Sequence, residues 1–374
     1  MRVGIITFYC VSNYGAMLQA YALRSLLEGR GHEVVFISLP LLVARRPALW
    51  RCLVSKSLTN FRVKFLRRKK FEMTRFMAGL PHTPICHNVD DVIRESQDLD
   101  AFVVGSDQIW NPLWFSGDYL PIVMLDFVKN RRLKISYAAS FGMKEWPTDK
   151  NPEIAGRMLK QFTAVSVREE SAVGLVQRLS GRDDIKWVLD PTMMQDAGFY
   201  ARLLSPLNQE VQPGHIFFYC IDHEGNSEIA RQLLAHIQDE LKIDEVLSEE
   251  KERGGLVGIA QKLVGVKDLV DVPTWLWRIA NSRFVVTNSF HGTVFSILFH
   301  RPFVSLLLRD KLSGMNERLI SLLSRLDLIK QAVYADDIVG VDSALKNEFD
   351  WGRIDVLLGA FREESLEFIK SSGL

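Results

Sequence analysis

The sequence has no long apolar run, no closely spaced cysteines and almost no net charge, and each absence narrows what the protein can be. No apolar run approaches the roughly 20 residues that span a bilayer, so we expect no transmembrane helix. The four cysteines, Cys10, Cys52, Cys86 and Cys220, are scattered, which argues against a zinc site or a disulfide framework and fits a reducing compartment. The first residues lack the apolar segment of a secretory signal, and a cytoplasmic location is therefore expected.

What the sequence does contain is the composition of an ordinary globular protein. Of its 374 residues, 47% are hydrophobic and 24% are charged, and the formal net charge is +1. This length and apolar fraction are enough to bury a full core, and they predict two domains. A turn-rich stretch at 190–214 places the domains at 1–195 and 196–345, followed by a helical segment at 346–374.

The small net charge conceals one strongly basic segment. Eleven basic residues and a single acidic one, Glu72, lie between Arg45 and Arg75, among apolar residues whose spacing is compatible with one or two amphipathic helices. Such a segment can bind an anionic membrane surface or a polyanionic partner, or it can be the solvated face of helices whose apolar stripe joins the core. No recognition motif for nucleic acid accompanies the charge, and we expect no nucleic-acid partner.

Strand and helix patterns alternate along the chain. In the first domain, strands are predicted at 3–8, 33–37, 101–104, 134–139 and 164–167, and helices at 18–27, 152–161 and 171–179. In the second, strands are predicted at 216–220, 269–272, 283–287 and 303–307, the last closing the sheet, and helices at 227–241, 274–280, 317–326 and 355–369. The alternation predicts an α/β fold class with two Rossmann-like domains, each built on a mostly parallel sheet.

Polar residues follow the predicted strands at several places. In open α/β sheets the ligand crevice lies beyond the carboxyl ends of the strands. The polar stretches at such ends are 12–16, 105–108, 140–142, 168–169 and 289–292. Since the last belongs to the second domain and the others to the first, a site built from all of them occupies a cleft between the domains.

His291 is the strongest single candidate for chemistry. It follows the apolar run 284–287 and opens an apolar helix, whose first N–H groups are unpaired and attract anions. Structural explanations exist for each candidate. The glycines can be turn residues, Asp107 a helix N-cap, Arg168 half of a surface ion pair, and His291 a structural histidine.

Six blocks of residues, in order along the chain, resemble the polysaccharide pyruvyl transferase family. They are Asn-Tyr-Gly-Ala at 13–16 with Leu-Gln-Ala-Tyr-Ala-Leu at 18–23, Gly-Ser-Asp-Gln-Ile-Trp-Asn at 105–111, Ser-Phe-Gly at 140–142, Val-Arg-Glu-Glu-Ser at 167–171, Leu-Asp-Pro-Thr at 189–192, and Thr-Asn-Ser-Phe-His-Gly-Thr at 287–293. The resemblance covers residues 3 to about 330. Six blocks in order are more specific than any one of them.

The resemblance implies a fold similar to the GT-B glycosyltransferases, in which two Rossmann-like domains face a central cleft. It also implies a reaction. An enolpyruvyl group moves from phosphoenolpyruvate to two hydroxyls of one sugar, which forms a cyclic pyruvate ketal and releases phosphate. Members typically decorate exopolysaccharides, capsules and other glycans of the cell envelope, or their lipid-linked precursors. We therefore expect a glycan or lipid-linked oligosaccharide as acceptor, with peripheral association at the inner face of the membrane.

This chemistry can be compared with the residue types at the strand ends. Phosphoenolpyruvate carries a carboxylate and a phosphate, which require cationic side chains and backbone donors, and Arg168 and the helix start at Gly292 can supply them. His291 is a candidate for the proton donor to the methylene carbon, or alternatively for a phosphate ligand. Asp107 is a candidate for the base that accepts the proton of the attacking hydroxyl.

Further residues expected to contact the substrates come from the same strand ends. They are Asn13, Tyr14, Gly15, Ser106, Ser140, Ser289 and Phe290. Asn316 and Arg318, with Arg309 and Lys311 nearby, follow the last predicted strand, and which of them supplies the final positive charge is left open. No cofactor or metal is expected, because the scheme requires none and the sequence has no clustered ligand set.

Two other functions are compatible with the same sequence, because fold does not fix function. One is a GT-B glycosyltransferase that uses a nucleotide sugar. The other is a non-catalytic glycan-binding protein.

Overall fold

The computed structural model describes residues 1–42, 74–115, 117–129, 132–204, 214–221, 226–251 and 268–374. Of the basic segment at 45–75, only Thr74 and Arg75 fall within these ranges, so its predicted helices lie outside the described residues. No helix in these ranges is both long and apolar enough to cross a membrane.

The first half of the chain forms a parallel sheet that has six strands within the described ranges. They are β1 (Arg2–Ile6), β2 (Glu33–Phe36), β3 (Ala101–Val104), β4 (Leu133–Ala139), β5 (Ala164–Val167) and β6 (Lys186–Trp187), in the spatial order β2-β1-β3-β4-β5-β6. The central strands are buried almost without alternation, as expected when helices cover both faces of a sheet.

The helices of this half are α1 (Tyr14–Glu28), α2 (Val89–Glu95), α3 (Leu120–Val123), α4 (Pro152–Leu159), α5 (Glu170–Ser180) and α6 (Ala197–Ala201). α1 begins earlier than the predicted start at residue 18 because Asn13 caps it. The Asn13 side chain accepts the N–H of Ala16 at 3.0 Å. The first turn of α1 therefore lies close to the carboxyl end of β1.

The second half contains another parallel sheet. Its elements are β7 (Ile216–Tyr219), α7 (Asn226–Leu241), β8 (Val246–Leu247), the antiparallel pair β9 (Glu250–Lys251) and β10 (Asp268–Leu269), α8 (Val272–Ala280), β11 (Phe284–Thr287), α9 (Phe290–Leu298), β12 (Phe303–Leu307), α10 (Glu317–Arg325), β13 (Ala332–Tyr334), α11 (Ile338–Lys346) and α12 (Trp351–Ser371). The parallel strands follow the order β13-β12-β11-β7-β8 among the residues described.

Two details of the predicted second sheet were wrong. β12 does not close the sheet, because the short strand β13 pairs outside it. The strand predicted at 269–272 ends at Leu269, and Val272 already begins α8, since the side chain of Asp271 caps that helix by accepting the N–H of Thr274 at 2.9 Å.

The long C-terminal helix α12 returns to the first half of the chain. Its Ser365 hydroxyl accepts the backbone N–H of Leu189 at 3.0 Å, and its Phe368 ring lies 6.3 Å from Tyr137. The helix predicted at 355–369 is therefore longer and packs against the first sheet. The domain boundaries at 195 and 345 remain predictions.

One apolar cluster contains residues of both halves. Tyr14, in the first turn of α1, stacks on Trp275 of α8 at 5.0 Å between ring centroids. Its hydroxyl donates to the backbone carbonyl of Val270 at 2.8 Å. This contact brings the carboxyl end of β1 against the second half, close to the start of α9.

Candidate active site

Asp190 is the centre of the candidate site. It follows β6 and caps the short 3₁₀ turn Pro191–Met194, with one carboxylate oxygen accepting the N–H and hydroxyl of Thr192. Its other oxygen accepts from the hydroxyl of Ser106 at 2.8 Å and from Nη1 of Arg168 at 3.0 Å. The same oxygen lies 3.4 Å from Nε2 of His291, so one buried carboxylate joins the strand ends of the two halves.

The electrostatics of Asp190 follow from this environment. Burial alone would raise the pKa of its carboxyl, but His291 and Arg168 outweigh burial and hold the pKa well below its usual range. Asp190 is therefore an anion at neutral pH, and the side chains of Arg168 and His291 both lie against it.

Arg168, at the end of β5, carries the balancing charge. Its side chain is 1% exposed, and Nη2 lies 3.3 Å from a carboxylate oxygen of Asp107. Burial would lower the pKa of this guanidinium, yet Asp107 and Asp190 together raise it. The guanidinium also lies 4.6 Å from the centre of the Phe290 ring, a cation–π contact with the first residue of α9. Arg168 is thus a buried ion-pair residue, unlike the surface pair considered from the sequence.

Asp107 has an unusual backbone conformation for a residue other than glycine. Its φ is 67°, in the left-handed region, and its carbonyl accepts the N–H groups of Ile109 and Ser140. Strain of this kind is held by surrounding structure and is frequent at functional sites. Its side chain accepts from Arg168, so the helix-cap explanation of Asp107 does not apply.

His291 enters the site from the first turn of α9. The hydroxyl of Ser289 caps this helix by accepting the N–H of Gly292 at 3.3 Å, while the N–H groups of Phe290 and His291 have no partner among the described residues. The imidazole ring lies directly against Gly15 of α1, where an added Cβ would be 2.0 Å from Nδ1. Only glycine leaves room for the ring at this point.

A second buried carboxylate, Glu169, lies beside the first. It accepts from the hydroxyl of Ser140 at 2.9 Å and from the N–H of Phe141 at 3.1 Å. Burial raises the pKa of Glu169, against the opposing effect of Arg168 and Arg318. Glu169 thereby fixes the turn after β4.

Arg318 is the cation of this cluster that has no ion-pair partner among the residues that the structure describes. Its Nε donates to the carbonyl of Met315 at 3.2 Å, and no carboxylate among the described residues lies within ion-pair distance of it. Burial and the positive charge of Arg168 lower the pKa of Arg318 to about 10, although Asp107, Glu169 and Asp190 act in the opposite direction. It remains charged at neutral pH and is free to bind an anion.

The remaining predicted residues have structural contacts. Asn13 caps α1, Tyr14 is buried in the shared core, and Gly292 packs against Thr287, where a Cβ would approach within 2.5 Å. Both ends of the Asn316 amide bind the backbone of Leu308, at 2.8 Å each.

Among the residues considered for the last positive charge of the donor site, the structure favours Arg318. Arg309 pairs with Asp336 at 2.6 Å and stacks on Tyr334 at 4.0 Å. The side chain of Lys311 lies outside what the structure describes.

Asp190 and Glu169 belong to this buried cluster but were not among the predicted site residues, although Glu169 lies in the polar strand end 168–169. Asp190 lies in the Leu-Asp-Pro-Thr block, which was quoted for the resemblance only. Its strand, β6, has two residues, too few for an apolar pattern to mark it as a strand end. Within the described ranges, no group of three His, Cys, Asp or Glu side chains is arranged to hold a metal ion.

Comparison with known proteins identifies both a family and a fold. The sequence model of the polysaccharide pyruvyl transferase family matches residues 13–308. No curated protein sequence matches the chain. Among solved structures, the S. aureus MnaA–UDP co-structure is 10% identical, with a TM-score of 0.54, and the match covers 99% of this chain and 95% of that one.

A second solved structure is similar at the same level. The Methanocaldococcus jannaschii UDP-GlcNAc 2-epimerase in complex with UDP-GlcNAc and UDP is 11% identical, with a TM-score of 0.50, and the match covers 93% of this chain and 94% of that one. At these identities the similarity bears on the fold alone. It confirms the predicted GT-B architecture of two parallel-sheet α/β domains.

Proposed function

Since the chain belongs to the polysaccharide pyruvyl transferase family, we propose that it transfers the enolpyruvyl group of phosphoenolpyruvate to two hydroxyls of one sugar. The observation that carries this proposal is the charged cluster at the strand ends, in which Arg318 has no ion-pair partner within the described part of the chain and His291 lies beside a buried carboxylate. Phosphoenolpyruvate has two anionic groups, which a cation such as Arg318 can bind, and a methylene carbon that must be protonated, for which His291 is the candidate donor.

Donor binding is assigned to the cations and to the start of α9. Arg318 binds one anionic group of phosphoenolpyruvate, because Arg168 is already committed to Asp107 and Asp190. The N–H groups of Phe290 and His291 supply donors for the other. Arg168 adds positive charge to the site, although its buried side chain has no direct access to solvent.

His291 is assigned as the proton donor to the methylene carbon of phosphoenolpyruvate. As that C–H bond forms, a sugar hydroxyl attacks the adjacent carbon and its proton passes to Asp107. Phosphate then leaves with the electrons of the carbon–oxygen bond, and a second hydroxyl closes the ketal. The proton of this second hydroxyl passes to His291, which is thereby returned to its starting state. The proton held by Asp107 leaves with the phosphate.

The decisive experiment is phosphate release from phosphoenolpyruvate with purified protein and glycans that contain galactose, mannose or glucosamine. The proposal expects release only when both donor and acceptor are present. Release of nucleotide from a nucleotide sugar would support the glycosyltransferase alternative. Glycan binding without either release would support a non-catalytic protein.

Replacing Gly15 with alanine is expected to lower the turnover rate. The new Cβ would lie 2.0 Å from Nδ1 of His291, and the ring must move by about 1 Å or more, which costs on the order of 100-fold when the displaced group is catalytic. Acceptor-dependent phosphate release measures the effect. Gly359→Ala is the matched control, since its Cβ meets nothing within 4 Å. A Gly15→Ala protein as active as the control would contradict this position of His291.

A lipid-linked acceptor and peripheral membrane binding are proposed from the basic segment at 45–75. Each basic residue near an anionic surface contributes about 1 kcal/mol. We expect the protein to float with vesicles that contain phosphatidylserine, and a variant with Arg67, Arg68, Lys69 and Lys70 changed to glutamine to remain in solution. The matched control changes four exposed basic residues elsewhere, Arg157, Lys160, Lys186 and Lys346. Equal flotation of the two variants would count against the proposal.

A further inference from the structure

Two aromatic rings form a partly exposed surface at the carboxyl edge of the first sheet. Phe8 lies two residues after β1, and Trp114 lies on the loop after β3 that also carries Asp107. The rings meet edge to face, with centroids 5.6 Å apart. Trp114 is 49% exposed and Phe8 is partly buried, so this aromatic shelf of Phe8 and Trp114 presents the apolar face of an indole to solvent.

The position of Trp114 is fixed by its neighbours in the loop. Its backbone N–H donates to the carbonyl of Asn111 at 3.1 Å, and the Asn111 side chain in turn donates to Gln108 at 2.9 Å. The next residue, Phe115, is 1% exposed and packs on Phe8 at 5.5 Å between centroids. The exposed indole therefore belongs to a loop that is held in place by hydrogen bonds and packing, and these contacts keep the ring on the surface.

Hydrogen bonds connect the shelf with the centre of the site. Thr7, the neighbour of Phe8, donates to the carbonyl of Ser106 at 3.0 Å. The hydroxyl of Ser106 donates to Asp190 at 2.8 Å. Asp107, the residue assigned to the attacking hydroxyl, is the next residue in the chain. The shelf and Asp107 therefore lie on loops at the same carboxyl edge of the first sheet.

We propose that the aromatic shelf is the binding surface for the acceptor sugar, a proposal that rests on the proposed pyruvyl transfer. A pyranose ring presents an apolar C–H face together with polar edges. An indole offers a flat apolar area of matching size at low conformational cost. Phosphoenolpyruvate has no such face and is bound by charge. The shelf therefore acts on the acceptor and not on the donor.

Trp114→Ala tests this proposal through the two Michaelis constants. Neutral methyl glycosides are the acceptors, because an aromatic aglycone could itself stack on tryptophan. We expect the KM for the acceptor to rise about tenfold or more, since the loss of an aromatic contact weakens binding by about a factor of ten. The KM for phosphoenolpyruvate should stay within about twofold, and Trp114→Phe should recover most of the lost affinity.

Leu113→Ala is the matched control, because this neighbour is 64% exposed and has no ring. An unchanged acceptor KM in Trp114→Ala would overturn the proposal, as would an equal rise for both substrates. Reduced flotation with anionic vesicles at an unchanged acceptor KM would also overturn it, and would instead assign Trp114 to membrane contact.

A failure of the proposed function is distinguishable from a failure of the shelf. If the wild-type protein transfers no pyruvyl group, saturation-transfer NMR with the same methyl glycosides still measures their binding. In that case the shelf predicts a signal from the wild type that Trp114→Ala loses. The same signal from both proteins would contradict it.

Discussion

His291→Gln is expected to reduce the rate constant of acceptor-dependent phosphate release by about 10²- to 10⁴-fold, the range that general acid catalysis contributes. Glutamine keeps a polar side chain but cannot deliver a proton to the methylene carbon. The Nε2 atom of His291 lies 3.4 Å from a carboxylate oxygen of Asp190, and this contact positions the ring at the centre of the site. The loss should fall on kcat, with the KM for phosphoenolpyruvate changed only a few-fold.

The pattern of that loss separates the two roles considered for His291. A phosphate ligand would chiefly raise the KM for phosphoenolpyruvate, whereas a proton donor would lower kcat. His236→Gln is the matched control, because His236 also lies beside a carboxylate, Asp342, at 2.7 Å, but on the surface of α7. We expect the control to keep the wild-type rate. A His291→Gln protein within tenfold of wild type would remove His291 from the chemistry.

Asp190→Ala is expected to destabilise the protein by about 3–5 kcal/mol, the cost of leaving one member of a buried ion pair without its partner. Arg168 would keep only the 3.3 Å contact with Asp107, and Ser106 and Thr192 would lose their acceptor. Urea denaturation measures the free energy of unfolding. The matched control, Asp336→Ala, removes a carboxylate from the exposed Arg309 and should cost less than about 1 kcal/mol. Equal losses in the two variants would contradict the central position of Asp190.

The same carboxylate predicts a pH dependence of stability. Its folded-state pKa lies below its unfolded value of about 3.9, so its stabilising contribution is fully present above the unfolded pKa and is lost progressively as the pH falls from there toward the folded-state pKa. Between about pH 5 and pH 3, the wild-type protein should therefore lose more unfolding free energy than Asp190→Asn, which has no proton to bind. Parallel pH profiles would show that Asp190 does not couple protonation to folding.

Much of the fold was predictable because its signals are local. Buried parallel strands are continuous apolar runs, and those at 101–104 and 303–307 were predicted with the bounds that the structure has. β6 and β13 were missed because two or three residues carry no periodicity. The start of α1 was placed late because a cap depends on the side chain of Asn13 and not on the apolar pattern.

The candidate site was predictable to the extent that strand ends of parallel sheets converge. Asp107, Arg168, Ser106 and His291 were selected on that basis. The first three are joined to one another through hydrogen bonds to Asp190 and Arg168, and Nε2 of His291 lies 3.4 Å from the same Asp190 carboxylate. Asp190 was not selected, since its importance depends on three side chains that are distant in sequence. The choice of Arg318 over Arg309 likewise depends on Asp336, which neutralises Arg309 from another strand end.

The most direct test of pyruvyl transfer is mass spectrometry of the sugar after reaction with phosphoenolpyruvate in heavy water. Protonation of the methylene carbon by a solvent-exchanged group predicts a product that has gained one pyruvate, less one water, and carries one deuterium in its methyl group. Phosphate should appear in equal amount. A sugar without this gain in mass, or a ketal without deuterium, would contradict the account.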